Sequence, residues 1–184
     1  MGDTMNRISS RLPRSTLLAV IPTLALSLAP ALASAGTTYR LTDLGTLGGA
    51  YSQGERINSS GQATGGSSYN PGELYTLHAF FWDGLTLRDL GVLGGLVSIG
   101  VDVNDAGQVA GASHLSNSDG YHAFLWDGST MRDLDQLGSF QSYGWAINAS
   151  GEVVGDCDLG QDRYLACIWD DQGQQNCPGL RVIF

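Results

Sequence analysis

The chain has 184 residues, 42% of them hydrophobic, and its nine basic residues, all Arg, face eighteen acidic ones for a formal charge of −9. A balance of that sign repels phosphate backbones and sets nucleic-acid binding aside. Nothing after residue 36 is long and apolar enough to span a membrane as a helix.

Residues 1–35 read as a signal peptide. Arg7, Arg11 and Arg14 form a basic start, Leu17 to Ala29 is a short apolar run, and Ala33-Ser34-Ala35 offers small residues for cleavage after Ala35. Pro22 and Pro30 interrupt the run and argue against an uncleaved anchor. Cleavage leaves 149 residues with a charge of −11, enough for one domain with a core. The expected location is outside the cytoplasm: extracellular, periplasmic or at the cell surface.

From residue 36 to 171 one unit is written three times, approximately over 39–83, 84–127 and 128–171. Asn58, Asn104 and Asn148 open matching turns, spaced 46 and 44 residues apart, and Trp82, Trp126 and Trp169 recur after 44 and 43. A fixed period near 45 indicates a repeat architecture whose units bury apolar faces against neighbours. In the first unit the pattern predicts strands near 54–58, 62–67, 77–82 and 85–90, after an isolated strand from Tyr39 to Leu44. Asn58-Ser59-Ser60-Gly61 and Asp83-Gly84 supply hairpin turns between them. On the third strand His78, Phe80 and Trp82 alternate with Ala79 and Phe81, apolar on both faces. His122, Phe124 and Trp126 repeat this against Ala123 and Leu125, so both faces of each sheet should be covered. The fold class is all-β: antiparallel four-stranded repeats of about 45 residues, β-propeller-like.

The triplets His78-Ala79-Phe80 and His122-Ala123-Phe124, the tryptophans, the stretches beginning Asp43-Leu44-Gly45 and Asp89-Leu90-Gly91, and the Asn-led turns resemble the extracellular HAF-repeat family. The resemblance covers nearly all of 39–171. It implies bacterial export, tandem β repeats in a propeller-like arrangement, and no established catalytic residues.

Three departures stand out: Leu165 replaces His, Asp135 replaces Gly, and residues 172–184 form a divergent tail. Closed propellers need about four blades or more, so three units predict an incomplete ring: a truncated member, or a chain that closes by homo-oligomerising.

Most recurring polar residues read as structural. His78 and His122 occupy a position that accepts Leu165, so no metal site is expected. The glycines from Gly45 to Gly49 and Gly91 to Gly95 lack the Lys and spacing of a phosphate loop and read as close backbone crossings. Asp102 to Gly107 lacks the distal Glu of a calcium loop. Ser52, Ser98 and Ser142 recur in register without a nucleophile elbow, which points to a repeated structural hydrogen bond. No cofactor is expected. Cys157 stands where Ser67 and Ser113 stand, and Cys167 where Phe80 and Phe124 stand. A Cys157–Cys167 disulfide follows, with Cys177 free or intermolecular.

The loops Tyr69 to Thr76, His114 to Tyr121 and Asp158 to Tyr164 differ between units. Variable loops on a repeated scaffold carry binding specificity. Tyr69, Asn70, Tyr75, Asn117, Tyr121 and Tyr164 are the candidate ligand-binding residues. The expected function is a non-catalytic exported module binding a surface protein or a glycan. The alternatives are a secreted glycan-processing hydrolase, which needs paired carboxylates in one pocket, and a truncated structural envelope protein without independent activity.

Overall fold

The computed structural model describes residues 38–72, 76–116, 120–135, 138–158, 160, 163–170, 172 and 175–176. Residues 1–35, the expected signal peptide with its expected cleavage after Ala35, and Cys177 lie outside them. Every strand among the described residues belongs to the unit Leu41–Phe184.

The described residues are all-β, in three antiparallel four-stranded sheets. The first contains β1 (Ser52–Ile57), β2 (Ala63–Ser68), β3 (Leu77–Trp82) and β4 (Leu87–Asp89). The second contains β5 (Gly94–Val103), β6 (Val109–Leu115), β7 (Tyr121–Trp126) and β8 (Met131–Asp133). The third contains β9 (Gln141–Ile147), β10 (Val153–Asp158), β11 (Tyr164–Trp169) and β12 (Gln175–Asn176). In each sheet neighbouring strands follow chain order, and each pair is antiparallel. The sheet limits are shifted against the sequence units, since the strand after each Trp-Asp turn folds back onto the strand before it. Two residues of the divergent tail form β12, whose pairing to β11 is through backbone and needs no particular side chains. No strand forms from Tyr39 to Leu44. Leu41 is 95% exposed and has no neighbouring strand to pair with.

The turns follow from their residues. Asn58 Oδ1 accepts from Ser60 N and Gln62 N at 3.1 and 2.9 Å, and Gly61 closes the turn at φ 79°. Asn104 and Asn148 make the same pairs of bonds. Asp83 Oδ1 accepts from Leu85 N and Thr86 N at 2.8 Å, and these bonds hold its pKa below the ordinary carboxylate value.

The apolar alternation places one core on each side of the second sheet. Ala79 and Phe81 meet Val103, Val109, Phe124 and Trp126. Ala123 and Leu125, on the opposite face, meet Val153, Cys167 and Trp169. Full burial of side chains this size stabilises by roughly 1.5–3 kcal/mol each. The expectation of two covered faces fails for the third sheet. Its outer positions Val154 and Ile168 are 43% and 44% exposed, because no further sheet lies on them among the described residues.

Cys157 and Cys167 are fully buried on adjacent strands, Cα atoms 6.3 Å apart, and joined as a disulfide. Their strands pair Cys157 with Leu165 and Gly155 with Cys167, so the two cysteines are diagonal neighbours.

Candidate functional site

The first strands of the three sheets share a defect. Between Gly54 and Arg56, between Gly100 and Asp102, and between Gly144 and Ala146, the pairing slips by one residue. The residues left over are Glu55, Val101 and Trp145. A bulge of this kind re-aims the extra side chain. All three line one cavity of about 340 Å3, together with Ile99, Ala112, Tyr121 and Tyr143. That volume lies within the range of small-molecule sites.

One wall is aromatic. The Tyr143 and Trp145 rings stack at 5.4 Å with planes 10° apart, and Tyr121 lies 5.4 Å from Tyr143. His114 packs against Tyr121 with ring centroids 3.9 Å apart. Polar groups fix the rings: the Trp145 indole N–H donates to Asp156 Oδ1, and the Tyr143 hydroxyl donates to Gln141 Oε1 at 3.4 Å. Gln141 Nε2 donates to the Tyr164 hydroxyl at 3.2 Å. Burial, then the proximity of Tyr121, Asp156 and Tyr164, pushes the Tyr143 phenol above its ordinary pKa. Trp145 and Tyr164 are 50% and 56% exposed. Such rings present large, rigid contact area at little entropic cost.

The sequence candidates are only partly gathered here. Tyr121 lines the cavity, and Tyr164 lies outside its lining but is linked to Tyr143 through Gln141. Tyr69 instead stacks on His78 at 3.9 Å, and no described contact joins Tyr69 or Asn70 to the cavity. Tyr75 and Asn117 lie outside the described residues. The loop argument missed Tyr143 and Trp145, which sit on a strand. A comparison of copies could have found them: Gln53, Ile99 and Tyr143 are equivalent, as are Glu55, Val101 and Trp145, and only the third copy is aromatic.

The recurring His and Ser have internal partners. His78 Nδ1 lies 2.9 Å from Asp89 Oδ2, and His122 Nδ1 lies 2.9 Å from Asp133 Oδ2. Ser98 and Ser142 accept from Ala79 N and Ala123 N at 2.8 and 3.0 Å, across the sheet interfaces. Gly49 and Gly95 stand where a Cβ would fall 2.7 Å from Ser68 Cβ and 2.5 Å from His114 Cβ, a close backbone crossing. Among the described residues no group of three His, Cys, Asp or Glu side chains could hold a metal ion.

Comparison with protein-family models, with curated proteins and with solved structures yields no match for this chain.

Proposed function

We propose that the protein is an exported, non-catalytic glycan-binding module whose three sheets are blades of a propeller-like HAF-type array. The observation that carries this reading is the stacked Tyr143–Trp145 pair, flanked by Tyr121, in a cavity that Glu55 also lines, with Gln141 hydrogen-bonded to the Tyr143 hydroxyl. Aromatic faces suit the C–H faces of sugar rings, and the flanking carboxylate and amide suit sugar hydroxyls. The acidic balance of the chain, with six basic against seventeen acidic residues after position 35, favours a neutral over an anionic glycan. The cavity lining carries one carboxylate, Glu55, where glycoside hydrolysis ordinarily uses two. The buried Cys157–Cys167 pair suits an oxidising compartment.

Affinity electrophoresis through gels containing neutral polysaccharides tests the reading. At least one neutral glycan should retard the protein, and Trp145→Ala should weaken binding about tenfold or more, the loss of one aromatic anchor. Trp145 is half exposed, so the variant should remain folded. Migration unaffected by every neutral glycan, or binding undiminished by Trp145→Ala, would exclude it.

A further inference from the structure

The two sheet interfaces are built from matching contacts, and among the described residues the first and third sheets carry the same parts uncovered on their outer faces. At the first interface the Asn58 amide donates to Asn104 O at 2.8 Å; at the second, Asn104 donates to Asn148 O at 3.0 Å. Thr64 and Phe81 are buried at the first interface, and Ala110 and Leu125, their equivalents, at the second. The next equivalents, Val154 and Ile168, are nearly half exposed and line an open cavity of about 240 Å3 with Asn148. At the leading end Ile57 is 70% exposed, while its equivalent Val103 is 6% exposed.

Gly54 supplies the second, independent observation. Its equivalent Gly100 must lack a side chain, because a Cβ there would fall on Thr64 Oγ1 of the preceding sheet. Gly144 likewise has Gly111 O 3.0 Å from the place a Cβ would take. At Gly54 nothing lies within 4 Å of that place, and its φ is one any residue adopts. Among the described residues the space in front of Gly54 is open, yet the position has the form of a seat for a preceding sheet.

We propose that a second copy of this chain fills it: the outer face of the third sheet docks on the β1 face of a partner, head to tail. The partner's Gly54 would receive Val154 as Gly100 receives Thr64, and its Asn58 O would accept from Asn148. Used twice, the contact joins two copies of three sheets into a closed ring of six, inside the range of about four to eight blades that propellers adopt. The inference rests on the proposed array but is independent of the glycan reading.

Two blocking variants test it on the full chain recovered from an exporting host, with mass read by light scattering after gel filtration. Wild type should run at twice the chain mass. Gly54→Leu blocks the head, Val154→Glu blocks the tail, and each should halve the mass while circular dichroism stays unchanged. Mixed, the two variants keep one good head and one good tail, and should restore a one-to-one dimer. A monomeric wild type, a dimer that survives either block, or blocked variants that fail to complement each other would overturn the proposal. Polysaccharide binding, measured separately, reports on the groove alone.

Discussion

At the scale of single residues, each repeated histidine is held by an aspartate of its own sheet, and one of them should make stability depend on pH. His122 is 9% exposed, with Nδ1 on Asp133 and Nε2 3.9 Å from the buried Asp135 carboxylate, which also accepts from Ser139 Oγ. The Asp133 hydrogen bond, reinforced by the charges of Asp133 and Asp135, raises its pKa above the ordinary histidine value against the opposing effect of burial. A raised folded-state pKa contributes stability in full below about pH 6.5, and loses it as pH rises through the folded value. The urea-midpoint difference between wild type and His122→Gln should therefore be larger at about pH 5.5 than at about pH 8.5. Equal differences at the two pH values would count against the charged pair. The His and its Asp were legible in the sequence as repeating residues. Asp135 was legible only as an irregularity, and its bond to Ser139 shows what it does.

At the scale of elements, the bulged first strands shape the cavity and fix a glycine opposite each bulge. At Gly111 an added Cβ would strike Ile99 O and would lie 2.8 and 2.9 Å from Phe124 ring carbons. Gly65 and Gly155 meet Gln53 O and Tyr143 O in the same way. Gly111→Ala should cost about 2–3 kcal/mol of stability by overpacking, whereas Gly66→Ala, whose Cβ would meet only ordinary contacts at 3.5 Å and beyond, should stay within about 0.5 kcal/mol. Urea unfolding monitored by tryptophan fluorescence separates the two, and similar midpoints would refute the bulge account. Strand and turn positions were readable because alternation and Asn or Asp turn chemistry are local. β3 spans Leu77–Trp82, matching the expectation of 77–82, and β2 falls within one residue of its expected limits. The bulges were not readable, since an extra residue in a strand leaves composition and spacing almost unaltered.

At the scale of the whole molecule, the decisive asymmetry is between the covered second sheet and the half-covered third. Leu125 and Ile168 are equivalent residues of similar character, yet one is fully buried and the other is 44% exposed. If a second copy covers Ile168, folding is linked to association, and about a hundredfold rise in protein concentration should raise Tm measurably. Gly54→Leu should unfold at a Tm independent of concentration. Differential scanning fluorimetry across that range decides, and a wild-type Tm that ignores concentration would speak against assembly.

The sequence by itself determined the all-β class, the antiparallel pairing, the turn chemistry and the cysteine pairing, because each depends on residues near in sequence or matched between copies. Only the tertiary structure decided which repeated positions do different work. It showed that Trp145 and Tyr143, absent from the loop candidates, gather with Tyr121 at one cavity. It also showed that Val154 and Gly54 stand uncovered at opposite ends. A repeat assigns equivalent residues equivalent local structure. Their environments differ only through the neighbours that packing brings, and neighbours are what a single unit of sequence does not contain.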